Sequence, residues 1–363
     1  MDIFDGHIHI NSGTPVKESV KGFEYRFKAN GYKKYAFLSL PQNSDGDGIF
    51  SKVETVNKTS NVKALFYKLY FSPNAYAYAG LEHDLSMSDE ERADDLLRQA
   101  KLYMSVGFDG IKMLDGKPSN RYAVKTPYNS KVFFKFYKFM EENGYPITMH
   151  NADPASFWDK SKMSPEIIEH GWYADDTLPT KQQMHDEVED VLSHFPRLKL
   201  SMAHCGFMGD EPKRAEKFVT YENTFFDVTP GPEQFYFMYN NQKFWQKMFD
   251  NYPDKFRFGS DTYNDPLDKC KAHPEYIGAK ICLDFFARNT TTEFGGNVWK
   301  SMTQSEEFLK KLLYENSAKL LGEPKEINKD FILEKANLCK NIYADIPSVI
   351  KDMEFIESFT KSH

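Results

Sequence analysis

The chain has 363 residues, 40% of them hydrophobic and 27% charged, enough for one large barrel or two ordinary domains and the make-up of a soluble globular protein. Its net charge of −7 is spread along the sequence, which argues against a nucleic-acid surface, and no apolar run nears membrane-spanning length. Asp2 and Asp5 stand where an export leader would be basic and apolar. Cys205, Cys270, Cys282 and Cys339 are scattered without a Cys-x-x-Cys, so the expectation is a cytoplasmic protein with free thiols.

Strand-like and helix-like stretches alternate along the chain. Strands are expected near 2–9, 34–40, 63–71, 108–114, 145–150, 198–204, 223–229 and 256–261. Helical patterns fall near 16–30, 48–58, 88–106, 129–143, 180–195, 211–221, 232–251 and 275–288. Ser88 with Glu91 forms a capping-box pattern, and Asn129 or Ser130 can cap the helix after Tyr128. Asn30-Gly31, Gly107 and Asn143-Gly144 are helix stops. Eight strands with eight following helices is the count of a TIM (β/α)8 barrel. A helix at 305–321, ended by Gly322, closes the barrel region, which is taken as residues 1–322. Residues 323–363 then make a C-terminal helical extension packed on the barrel, with helices at 330–343 and 347–360. They are expected to cover the barrel bottom or to make a subunit contact, which leaves a homodimer open.

The strand ends carry the chemistry. His7 and His9 lie two residues apart on the first strand, so both rings share one face. Two neutral imidazoles on a rigid strand are half of a zinc-type site. Three later strands also end in a metal-competent side chain: YPITMH at His150, LKLSMAH at His204 and FRFGSD at Asp261. An open doubly wound sheet would gather ligands at one switch point, whereas a barrel brings all four strand ends around one mouth. Alternation places Pro146, Thr148 and His150 inward on one strand, and Arg257, Gly259 and Asp261 inward on another. Cys205 adjoins His204 but is turned away in a regular strand.

DGHIH, GFDGIKM, YPITMHNAD, FPRLKLSMAHCG, NTFFDVT and FGSDTY, with YENSAKLLG near residue 320, together resemble the amidohydrolase superfamily over roughly residues 1 to 322. The resemblance is to the amidohydrolase-2 branch, which includes aminocarboxymuconate-semialdehyde decarboxylase and related aromatic-acid decarboxylases. It implies that His7, His9, His150 and Asp261 hold one divalent metal, zinc in the first place and manganese as the other option. It also implies that His204 stands beside the metal as a catalytic residue, or is a ligand if a second metal binds. Asp261, touching metal and water, can accept a proton. Lys112, at the end of the fourth strand, has three readings: a pocket cation for a substrate carboxylate, a carbamylated bridge between two metals, or an internal ion pair.

Asn151, Asp153, Asp227, Tyr263, His273 and Arg121 are further polar candidates at or near the strand ends; of these, Asn151 and Tyr263 are assigned to substrate binding. Trp158 and Trp172 lie in the long 151–179 loop, read as a lid or pocket wall for a ring-bearing or apolar substrate. His185 and His194 read as structural. The leading function is a metal-dependent hydrolase acting on an amide, ester or lactone carbonyl of a small molecule. The alternative is non-oxidative decarboxylation of a small unsaturated or aromatic acid, and the contrasting class is a non-catalytic metal-binding scaffold. No nucleic-acid or membrane partner is expected.

Overall fold

A computed structural model describes all residues except 11, 12, 41, 44–56, 164, 170–172 and 232. Eight parallel strands form the barrel: β1 (Ile3–Ile10), β2 (Tyr32–Ser39), β3 (Ala75–Gly80), β4 (Gly110–Gly116), β5 (Ile147–Asn151), β6 (Leu200–Met202), β7 (Thr224–Asp227) and β8, broken into Phe256–Arg257 and Thr262–Tyr263. The first piece of β8 pairs with β7 and the second with β1, so the ring is closed. The outer layer includes α1 (Val16–Asn30), α2 (Ser60–Tyr70), α3 (Asp89–Val106), α4 (Phe134–Glu142), α5 (Lys181–His194), α6 (Pro212–Val219), α7 (Gln242–Asn251) and α8 (Ile277–Phe286). The Ser88–Glu91 capping box is present at α3. None of the described helices is long and apolar enough to cross a membrane.

Side-chain alternation divides the core in two. Ala75, Ala77 and Ala79 of β3 join the large cluster between sheet and helices. Tyr76 and Tyr78 point inward, where they meet Phe4, Ala36 and Leu38. The closing helix α9 runs through Glu306–Lys310, a π turn at Lys311–Glu315 and Asn316–Leu321. Its Tyr314, Ala318 and Leu321 pack on the interior cluster, so this helix plugs the barrel bottom.

Three sequence expectations are corrected. The stretch 63–71 is not a strand: residues 60–70 form α2, and strand three is the Ala/Tyr repeat at 75–80. The reason is packing on two sides. Tyr67 of α2 meets Phe23 and Phe37 on the barrel side, while Phe66 meets Phe355 and Phe359. A helix covered on both faces carries no amphipathic stripe and imitates a buried strand. The C-terminal helices α10 (Lys329–Ile342) and α11 (Pro347–Ser362) supply that outer cover. They lie on the flank at α1 and α2, tied by the Lys63–Asp352 ion pair (2.8 Å) and by Val16 N–H donating to Asp352, rather than across the bottom. The 232–251 helix is split at Asn241, and a hairpin, Thr291–Phe294 with Asn297–Lys300, was not foreseen. Most of the helix expected at 48–58 lies outside the described residues.

Candidate metal centre at the barrel mouth

The barrel mouth is built first from β1. Its register against β2 shifts between Asp5 and Ile8, so His7 and His9 both face inward while Ile8 and Ile10 remain in the outer core. Asp5 ties this bulge to β8. Its carboxylate accepts from Ser260 N (2.9 Å), Ser260 Oγ (2.6 Å) and His7 N (3.2 Å), and burial pushes its pKa up to about 7. The break in β8 follows: Asp261 adopts φ 57° and its N–H donates to His7 O at 3.0 Å. Gly259 is required by close approach, because a Cβ there would lie 2.6 Å from His7 Cβ and from Thr229 Cγ2.

Three donors then converge. His7 Nδ1 lies 2.7 Å from Asp227 Oδ2, which fixes the proton on Nδ1 and leaves the Nε2 lone pair for the mouth. His7 Nε2 and His9 Nε2 are 3.1 Å apart, and Asp261 Oδ1 is 3.0 Å from His9 Nε2 and 3.8 Å from His7 Nε2. Ligand atoms of the three residues all lie within 4.8 Å of one another. Burial holds both imidazoles below their ordinary pKa, so both are neutral. Burial alone would raise Asp261, but the hydrogen bond to His9 and the neighbouring His204, His9 and Lys112 bring it down to about 2. Asp261 Oδ1 is buried, and beyond His9 no described donor bonds to it. Two neutral imidazoles and a carboxylate whose buried oxygen is short of donors fit a divalent metal.

His150 and His204 stand around this cluster, with ring centroids 5.1 Å apart. His150 Nε2 lies 3.1 Å from Asp153 Oδ1, so the structure sets it beside the three converging donors rather than among them. Its carbonyl accepts from Tyr128 OH (2.7 Å), which in turn accepts from Gly116 N (2.8 Å). His204 begins a left-handed turn: φ is 54°, 48°, 59° and 54° at His204, Cys205, Gly206 and Phe207. Each non-glycine residue so placed costs on the order of 1 kcal/mol. His204 N–H donates to Thr229 Oγ1 at 3.1 Å, and Nδ1 lies 3.1 Å from the same hydroxyl and 3.3 Å from Thr229 O. That leaves Nε2 for the cavity; burial pushes the His204 pKa down to about 3.

The cavity above these groups has a volume of about 220 Å³. His9, His150, His204 and Asp261 form its polar floor, and Leu40, Leu114, Phe157, Phe207 and Pro230 form apolar walls. Tyr263 lines it too, with its ring 5.3 Å from that of His9. Lys117 also lines it, at 3.0 Å from Asp153.

The other residues expected at the site are placed differently. Lys112 is fully buried beneath the cavity, its Nζ 3.3 Å from His7 Nε2, and burial lowers its pKa to about 8. Asn151 follows His150 on the opposite face of β5, toward Gly116, and its amide is buried without a hydrogen bond. Trp158 turns away to donate to Pro179 O at 3.1 Å, and its neighbour Phe157 lines the cavity instead. Trp172 lies outside the described residues. Arg121 grips Glu187 through two bonds of 2.7 and 2.6 Å. Sequence reasoning missed Asp5, Thr229, Tyr128, Lys117 and Phe207. None of these carried a signal in the sequence, whereas Asp227, named there as a strand-end candidate, is placed against His7 Nδ1.

The sequence model of the amidohydrolase family matches residues 83–322, about two thirds of the chain. That match begins after His7 and His9 and contains His150, His204 and Asp261. No curated sequence is similar enough to match. Among solved structures, a TIM-barrel protein from Bordetella bronchiseptica is similar at 12% identity over 88% of this chain and 98% of its own, with a TM-score of 0.54. An amidohydrolase II is similar at 15% identity, over 88% and 100%, with a TM-score of 0.55. The 4-oxalomesaconate hydratase of Rhodopseudomonas palustris is similar at 14% identity, over 94% and 99%, with a TM-score of 0.51. At these identities the likeness is one of fold. The closed barrel, the donors at its mouth and the family match agree: the chain belongs to the amidohydrolases, a family of metal-dependent enzymes.

Proposed function

We propose that this chain is a hydrolase of a small amide, ester or lactone, with a divalent ion held by His7, His9 and Asp261 and completed by His150 once that ring leaves Asp153. Zinc suits three imidazoles and one carboxylate; manganese is the second choice. Held there, the ion supplies Lewis acidity toward a carbonyl and lowers the pKa of water toward roughly 7. Asp261 accepts the proton that water gives up. In the tautomer in which Thr229 Oγ–H, rather than the Thr229 carbonyl, is the partner of His204 Nδ1, neutral His204 donates from Nε2 to the oxygen on which negative charge develops. Phe157, Phe207 and Leu40 keep bulk water from the reacting carbonyl.

One observation favours hydrolysis over decarboxylation. The cation among the described cavity-lining residues, Lys117, is paired with Asp153, and Lys112 lies beneath the floor. Among the described residues a substrate carboxylate therefore has no open cationic partner on the walls, whereas a neutral carbonyl needs none. Decarboxylation of a small acid requires Asp153 to release Lys117. The test is metal analysis and turnover of His204→Ala and His150→Ala on a panel of lactones, esters, amides and aromatic acids. His204→Ala should keep its metal and lose at least about two powers of ten in turnover, while His150→Ala should lose both. Equal metal loss in the two would make His204 a ligand. Turnover of acids alone would replace hydrolysis by decarboxylation.

A further inference from the structure

The left-handed turn after β6 is held from outside the cavity by a side chain that no step above uses. His185, on α5, is fully buried, and its Nε2 lies 2.7 Å from Gly206 O. A carbonyl only accepts, so the ring carries its proton on Nε2. Nδ1 makes no hydrogen bond, and Glu211 Oε1 is 3.9 Å from it.

The turn divides its four residues between two sides. His204 and Phe207 face the cavity with their rings stacked at 4.8 Å and 26°. Cys205 is fully buried in the hydrophobic core, and a Cβ on Gly206 would lie 2.9 Å from the terminal carbons of Met202 and Met208. Gly231 leaves the space that Phe207 fills; a Cβ there would lie 2.7 Å from Phe207 Cε1. On the cavity side the turn is tied to Thr229 through His204. On the core side it is tied to His185 through the Gly206 carbonyl. A run of left-handed residues, three of them not glycine, persists only where its surroundings over-determine it.

We propose that His185 is a positioning residue: its Nε2–H bond to Gly206 O locks the left-handed turn and so sets where His204 and Phe207 stand in the cavity. The inference rests on the proposed role of His204 for its catalytic consequence only; the lock is read out without any substrate. Every cysteine is buried, and Cys205 is the one inside the turn. His185→Leu removes the donor and keeps apolar bulk, whereas His185→Gln returns an amide N–H near the Nε2 position.

The metal-loaded proteins are labelled with N-ethylmaleimide under native conditions and the modified peptides counted by mass spectrometry. Cys205 should label at least about tenfold faster in His185→Leu than in the wild type. Cys270, Cys282 and Cys339 should change by less than about twofold, and His185→Gln should restore the wild-type rate. Equal acceleration at all four cysteines, or an unreactive Cys205 in a folded His185→Leu protein, overturns the lock. If His185→Leu does not fold, the wild-type protein decides: imidazole ¹H–¹⁵N spectra should show the Nε2–H tautomer at His185, and the Nδ1–H tautomer overturns the proposal. Selective Cys205 labelling with unchanged turnover supports the lock and counts against the catalytic reading of His204.

Discussion

Replacing Asp227 by asparagine should weaken metal binding by about ten- to a hundredfold while leaving every proposed ligand in place. Asp227 Oδ2 accepts from His7 Nδ1 at 2.7 Å, with both side chains fully buried, and this bond aims the Nε2 lone pair at the mouth. Asparagine keeps the shape but drops the charge. Its amide can offer His7 either an oxygen or an N–H, so the tautomer is no longer imposed. The expected loss corresponds to about 1.4–2.7 kcal/mol of binding free energy. A second effect acts on folding. Asp227 is the carboxylate nearest the fully buried Arg257, at 3.9 Å, and the guanidinium otherwise meets Ser201 Oγ, Ser317 Oγ and Gly6 O. Stripping one partner from a buried ion pair costs about 3–5 kcal/mol. The long distance and the three remaining hydrogen bonds place this case below that range. A chelator-competition titration at fixed ionic strength reads the first effect, and the thermal midpoint of metal-free protein reads the second. A variant that binds metal within twofold of wild type, with only its midpoint lowered, would show that Asp227 serves Arg257 and does not aim His7.

Lys112→Met should leave the affinity for a small aromatic carboxylate within about threefold, because a charge-assisted contact is worth roughly 1.5–3 kcal/mol only where the partner can reach it, and Nζ lies under the floor. A tenfold or larger loss in equilibrium binding would restore Lys112 as a substrate cation. Phe66→Ala should cost about 3–5 kcal/mol in denaturant unfolding, since the ring is fully buried between α2 and α11, 5.8 and 5.5 Å from Phe355 and Phe359. A cost under about 1 kcal/mol would show that the C-terminal helices do not cover α2 in solution.

Much of the barrel was legible in the sequence because its signals are local. The period-2 run at β1, the Ser88–Glu91 cap and the stops at Gly31, Gly107 and Gly144 depend on near neighbours in the chain. The ends of β1, β5, β6 and β8 each close an apolar strand with a polar side chain, which local reading can find. The Ala/Tyr strand at 75–80 and α2 were not legible. Whether an apolar stretch is a strand or a doubly covered helix depends on α11, nearly 300 residues away, and no periodicity within the stretch records that cover.

The sequence by itself determined which strand ends bear imidazoles and carboxylates, and hence the kind of chemistry at the mouth. Only the tertiary structure decided which of them meet. The β1 bulge and the break in β8 bring His7, His9 and Asp261 together. The Asp153 contact sets His150 aside, and the left-handed turn carries His204 and Phe207 inward. Lys112 lies beneath the floor, and Trp158 gives its place on the wall to Phe157. The physical reason is that backbone irregularities aim side chains. A bulge or a left-handed residue is stabilised by distant partners such as Ser260, Thr229 and His185, whose contacts exist only once the ring of strands has closed.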